Sequence, residues 1–89
     1  MYRRKMTPRA LRDLEKVGKE DSSRLLSTLE QIVENPRTVG VIKLYGYIYR
    51  IRVGDWRIIY EIHDDEQLVV IGKIARRSED TYDGVKDLF

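Results

Sequence analysis

An α+β fold is the class this sequence predicts, and three observations predict it. Two amphipathic helical patterns come early, over Pro8–Val17 and Ser23–Glu34. Strand patterns rich in β-branched and aromatic residues follow, from Ile48 to Ala75. A two-residue loop, Gly54-Asp55, ties the first two of those strands into a hairpin. Helices followed by a meander give the order β-α-α-β-β-β-α, with an N-terminal helical hairpin laid on one face of a small, mostly antiparallel sheet. All 89 residues are expected to form one domain with a modest core.

Each element has its own signal. Tyr2–Met6 alternates weakly and reads as a short edge strand. Thr7-Pro8 opens a helix, with threonine as the N-cap and proline at the first helical position. Ala10, Leu11, Leu14 and Val17 make its apolar stripe, and Gly18 is expected to end it. Asp21 or Ser22 is the expected cap of the second helix. Its stripe is Leu25, Leu26, Leu29, Ile32 and Val33, and Asn35-Pro36 closes it. Thr38–Gly46 is a connector with a short extended piece at Val41–Leu44. Ile48–Val53 and Trp56–Tyr60 are the hairpin strands, the second running on to Ile62 or His63. Asp64-Asp65-Glu66 is a polar turn. Leu68–Ala75 is apolar almost throughout and reads as an interior strand buried on both faces. Thr81–Phe89 is the last expected helix.

The hairpin carries the chemical signal. A two-residue loop sets Val53 against Trp56, Arg52 against Arg57, Ile51 against Ile58, Arg50 against Ile59 and Tyr49 against Tyr60. Side chains alternate between faces. Tyr49, Ile51, Val53, Trp56, Ile58 and Tyr60 then share the core face, while Arg50, Arg52 and Arg57 share the other. Opposed like charges destabilise a hairpin by a fraction of a kcal/mol, roughly 0.2–1. The face is either a solvated arginine surface or an anion site, since guanidinium forks match phosphate oxygens in pairs.

Charge is unevenly placed. The net charge is only +2, yet residues 1–19 hold seven bases and two acids. Arg9, Arg12 and Lys16 fall on one face of the first helix, either as a solvated surface or as a basic ridge for nucleic acid or an acidic partner. Eleven of the seventeen bases are arginine, which favours planar phosphate recognition.

Other chemistries fall away. There is no cysteine, so neither disulfides nor thiolate metal sites can form. His63 has no second histidine to complete a zinc site and reads as an ordinary surface residue. Asp64-Asp65-Glu66 reads as a solvated turn. No phosphate-binding glycine loop or dinucleotide fingerprint occurs, and the serines have no plausible histidine base. No metal or other cofactor is expected. The apolar runs are too short to span a bilayer and no signal-peptide core follows Met1-Tyr2-Arg3-Arg4-Lys5, so the expected location is the cytoplasm, away from membranes.

What remains is Arg50, Arg52, Arg57 and Arg76, with Lys73, Arg77 and Tyr82 nearby. Arg76 leaves its strand beside the hairpin and is expected to reach the same open, concave face. Such a cluster can hold a phosphate and stabilise the extra charge of a phosphorane-like transition state. Arginine does not deprotonate and so is no general base. Tyr82 can act as a phenolate or stack on a base.

These residues resemble a known family. Leu44-Tyr45-Gly46, the run Tyr49-Arg50-Ile51-Arg52-Val53-Gly54-Asp55-Trp56-Arg57-Ile58-Ile59-Tyr60-Glu61, and Ile74-Ala75-Arg76-Arg77-Ser78-Glu79-Asp80-Thr81-Tyr82 are similar to the RelE branch of the RelE/ParE toxin superfamily. The likeness extends to Pro8-Arg9-Ala10-Leu11 and to Asn35-Pro36. It implies the toxin of a bacterial or archaeal toxin–antitoxin pair that cleaves mRNA in the ribosomal A site without a metal. The ribose 2′-OH attacks its own 3′ phosphate, leaving a 2′,3′-cyclic phosphate and a 5′-OH. By the resemblance, Arg50 and Arg52 match the first-strand basic pair, Arg57 the second-strand arginine, Arg76 the arginine after the last strand, and Tyr82 the C-terminal tyrosine. Arg52, Arg57, Arg76 and Tyr82 are the implied catalytic set, and Arg50, Lys73, Arg77, Arg9, Arg12 and Lys16 the implied RNA contacts.

The chain departs from the family in two ways. Some members have lysine at the places of Arg50 and Arg52. Other branches use a glutamate or histidine as acid or base, without a clear counterpart here. The implied partners are a cognate antitoxin, mRNA and the ribosome, with operator DNA reached only through the antitoxin. A ParE-like poison of DNA gyrase, and a weakly active relative that chiefly binds its antitoxin, are the alternatives.

Overall fold

Thr7 starts the first helix as its chemistry demands. In the computed structural model, which describes residues 1–77 and 89, its hydroxyl accepts a hydrogen bond from the Ala10 N–H at 3.1 Å, and Pro8 follows at the first helical turn. The elements run β1 (Arg3–Met6), α1 (Pro8–Glu15), α2 (Lys19–Glu34), β2 (Ile42–Tyr45), β3 (Ile48–Val53), β4 (Trp56–His63) and β5 (Leu68–Arg76). The helix expected over Thr81–Phe89 lies outside the described residues apart from Phe89, and Tyr82 lies outside them too.

The strands form one sheet in the order β1-β5-β4-β3-β2. β1 pairs with β5 in parallel; every other pairing is antiparallel. The extended piece of the connector is a true strand, β2, which adds one to the expected order. β5 lies between β1 and β4 and is buried over most of its length, as its continuous apolar run required. Where β1 ends, α1 takes over its hydrogen bonds. The Thr7 N–H donates to the Ile71 carbonyl at 2.9 Å and its hydroxyl to the Gly72 carbonyl at 3.0 Å. The Asp13 carboxylate accepts from the Ile74 N–H at 3.0 Å. These contacts seat α1 against β5.

The helices pack on one face. Ala10, Val17, Leu25, Leu29 and Ile32 bury against Tyr49, Ile51, Ile58, Tyr60, Ile62, Val69, Ile71 and Ile74. Two members of the expected stripes, Leu11 and Leu26, instead face solvent. They sit beside the buried Ala10 and Leu25, one helical step of about 100° off the core direction. The opposite face has a smaller cluster of Ile48, Ile59 and Leu44.

Gly18 has another role than the one its position suggested. Its φ of −62° and ψ of 156° are extended. It is the N-cap of α2, and its carbonyl accepts from the Ser22 N–H at 2.8 Å. The second helix therefore begins at Lys19, and Asp21 and Ser22 lie within it rather than at its cap. Glu20 and Asp21 in the first turn suit the positive end of the helix dipole. The chain between the helices is correspondingly short, and Val17 is buried at the bend.

Candidate functional site

The hairpin has the expected register, residue for residue: Val53 opposite Trp56, Arg52 opposite Arg57, Ile51 opposite Ile58, Arg50 opposite Ile59, Tyr49 opposite Tyr60. Gly54 has a φ of +60° and no other residue of that loop has a positive φ. This is the glycine-first pattern of a II′ turn, whose twist matches that of the strands.

Arg50, Arg52 and Arg57 consequently share the face turned away from the helices. That face is less open than its pattern suggested. Arg52 is exposed, Arg57 is half-buried, and Arg50 retains only 9% of its surface. Arg50 lies between Ile42 and Ile59 on the neighbouring strands, which bury its aliphatic stem. Its Nε is buried and has no hydrogen-bond partner among the described residues. A buried charged donor left unsatisfied costs upwards of 1–3 kcal/mol, roughly, so Arg50 is held at an energetic disadvantage.

Lys73 joins this face because of a bulge. The β4–β5 register slips between Ile59 and Tyr60, so that Ile59 faces Lys73 while Tyr60 faces Ile71. Gly72 is the extra residue. The slip inverts the alternation beyond it, and Ile71 and Ile74 both enter the core. Lys73, 6% exposed, is thereby carried to the arginine side.

The same slip sends Arg76 the other way. Arg76 pairs with Trp56 and shares its face. Its guanidinium stacks on the indole, 4.7 Å from the ring. The expectation that Arg76 joins Arg52 and Arg57 is corrected here. Arg77 follows the end of β5, and its N–H donates to the Asp55 carbonyl at 2.7 Å, holding its backbone beside the hairpin loop. Arg9, Arg12 and Lys16 are exposed on α1, which packs on the helical side of the sheet. They are not brought together with the hairpin arginines, and Arg9 is engaged by Asp13 at 3.2 Å.

Three groups escaped the reading of the sequence. Asp21 accepts a 3.1 Å hydrogen bond from the Trp56 indole, fixing the ring on which Arg76 stacks. Arg24, one helical turn later, lies flat on Gly54; a Cβ there would come within 2.9 Å of its Nη2. Asp64 is the third, and it is no mere solvated turn residue. It accepts both Nη atoms of Arg37 at 3.0 Å and the Tyr2 hydroxyl at 2.7 Å. Arg37, and then Tyr2, hold the Asp64 carboxyl below the ordinary carboxylate range. Only the spacing of Ser23, Arg24, Ser27 and Thr28 on one polar helix face hinted at the second of these.

Glu61 and His63 also point to the arginine side. They form a pair at 2.9 Å, with the Tyr47 ring 5.1 Å from the imidazole. Four residues of strand separate Glu61 from Arg57, about 13 Å along the backbone.

A sheet that buries one face under two helices and gathers cations on the other defines a small α+β domain suited to holding a polyanion. Comparison with known proteins gives the class its family. The family model described as the ParE toxin of the type II toxin–antitoxin system, parDE, matches residues 5–81. A putative toxin RelE1 from Methanocaldococcus jannaschii is 28% identical over 74 residues, covering 78% of this chain and 82% of that protein. Among solved structures, the archaeal RelE–RelB complex from Pyrococcus horikoshii OT3 contains a chain that superposes with a TM-score of 0.78 at 28% identity, covering 88% of this chain and 97% of its own. The isolated E. coli RelE toxin superposes with a TM-score of 0.76 at 26% identity over 100% of both chains. The chain belongs to the ParE toxin family of type II toxin–antitoxin systems, within the RelE/ParE superfamily.

Proposed function

We propose that this toxin is a ribosome-dependent mRNA endonuclease. The observation that carries the reading is the Arg52–Arg57 pair, set directly opposite one another beside the buried Arg50. Three guanidinia on one side of a rigid hairpin suit a phosphodiester, and a fold held by its other face tolerates their repulsion. The ribose 2′-oxygen attacks the adjacent phosphorus as its proton passes to water; the O2′–P bond forms, the P–O5′ bond breaks, and the leaving 5′-oxygen takes a proton from water to become the 5′-OH. Arg52 and Arg57 neutralise the charge that builds on the phosphoryl oxygens, while Arg50, Lys73 and Arg77 hold the backbone. Tyr82 completes the proposed catalytic set; Arg76, seated on Trp56 on the other face of the sheet, stands outside it. No metal enters the proposal.

None of the arginines accepts the 2′-OH proton. The ribosome therefore supplies much of the rate by aligning the 2′-oxygen, phosphorus and leaving oxygen. Purified toxin should scarcely cut free RNA and should cut a message bound in the A site. Rapid cleavage of naked RNA would overturn this division of labour. The partner proposed for the toxin is a cognate antitoxin, as in the RelE–RelB complex of P. horikoshii, with operator DNA reached through it.

The match to a family model named for ParE favours a second reading, inhibition of DNA gyrase with no RNA cleavage. Primer extension on a translated message after induction separates the two. Cuts in codon register support the nuclease; intact message with loss of supercoiling supports the gyrase poison.

A further inference from the structure

The groove between α2 and the hairpin loop is basic, and of its lining residues only Arg52 belongs to the proposed catalytic set. Its volume is about 490 Å³, and Ser23, Arg24, Ser27, Thr28, Arg52 and Gly54 line it. The groove exists because β2 is short. The β2–β3 ladder covers Ile48 to Arg50 and stops. Past that point the side of β3 that carries Arg52 is uncovered by β2, and α2 passes nearby with its polar face outward.

The two arginines are held differently. Arg52 belongs to the arginine face and also borders the groove, so the two surfaces are continuous. Arg24 rests on the backbone of Gly54, which lacks the Cβ that would displace it. Asp21 is the carboxylate nearest Arg24 among the described residues, at 3.9 Å, too long for a strong hydrogen bond, and both side chains are substantially exposed. Thr28 donates its hydroxyl to the Arg24 carbonyl at 3.1 Å, and the Ser23 and Ser27 side chains line the groove beside it. Guanidinium groups with small hydroxyls beside them are the donors that grip nucleic-acid backbones.

We propose that this groove is a second phosphate subsite, in which Arg24 with Ser23 and Ser27 holds the RNA backbone next to the phosphate engaged by Arg52 and Arg57. The inference rests on the RNA-cutting reading and extends it around the free side of β3. The backbone belongs either to the message or to ribosomal RNA; the chemistry is the same.

The test is the affinity of the full-length toxin, Arg24→Glu and Arg24→Lys for two purified ribosome samples, one with a message in the A site and one without. Arg24→Glu should weaken binding at least tenfold, and Arg24→Lys, which keeps the charge, should weaken it far less. The slope of log affinity against log salt should fall by about 0.7 in Arg24→Glu, the share of one single-strand phosphate. Loss confined to message-bearing ribosomes assigns the phosphate to the message, and equal loss in both samples assigns it to ribosomal RNA. Unchanged affinity in both samples overturns the inference. So does unchanged ribosome affinity with weakened antitoxin binding, which would give the groove to the protein partner. Wild-type toxin with no affinity for either sample would overturn the functional reading along with it; tight wild-type binding indifferent to Arg24→Glu overturns the subsite alone.

Discussion

Arg57 and Ile58 are neighbours with opposite duties, and the division between them is testable. Arg57 projects away from the helices and Ile58 is fully buried beneath them. Arg57→Ala should lower cleavage of ribosome-bound message about a hundredfold, the usual scale for one lost transition-state donor. Its melting temperature should hold. Ile58→Ala should instead cost about 2–5 kcal/mol in a denaturant titration, from lost burial and the cavity left behind. An Arg57→Ala protein that melts early yet stays toxic would invert the two faces. Their assignment was legible in the sequence because a two-residue loop and a period of two leave no freedom. The face of Arg76 was not legible. It depends on one extra residue, Gly72, opposite the slip between Ile59 and Tyr60, and a glycine inside a strand marks a bulge only ambiguously.

At the level of elements, the hairpin loop and α2 are coupled. Asp21 holds Trp56, Arg76 stacks on that ring, and Arg24 lies on Gly54. Gly54→Ala should therefore do two things. A residue with a Cβ at a φ of +60° costs about 1–2 kcal/mol, measurable as a lower urea midpoint. The Arg24 guanidinium must also move, so ribosome affinity should drop beyond what the lost stability explains. The sequence placed α2 too late because its apolar periodicity starts only at Leu25. The first turn has no apolar residue, and Asp21 and Ser22 look like caps until Trp56 is seen to need one of them.

For the whole molecule, Asp64 joins parts far apart in sequence. Tyr2 precedes β1, Arg37 follows α2, and Arg37 also donates to the Tyr49 hydroxyl at 3.2 Å and stacks over its ring. The Asp64 carboxyl titrates below its ordinary range when folded, because the Arg37 and Tyr2 donors favour its charged form. A depressed folded value stabilises the protein above the ordinary carboxylate range, and that contribution disappears as pH falls through the folded value. Urea midpoints should drop on acidification, and Asp64→Asn should shrink the drop. An acid limb unchanged in Asp64→Asn would place the coupling in other carboxylates.

By itself the sequence determined the α+β class, the two helices, the hairpin register and the gathering of Arg50, Arg52 and Arg57. Those follow from periodicity, turn chemistry and nearest-neighbour geometry, all of which are local. The tertiary structure alone decided the rest. It laid β1 parallel to β5, buried Arg50 and Lys73, turned Arg76 to the helical side, and placed Arg24 against the hairpin loop. Each of these depends on which distant segments meet, or on a single-residue slip between paired strands. The pattern along the chain encodes which face of an element is apolar. It does not encode what lies across a groove from it.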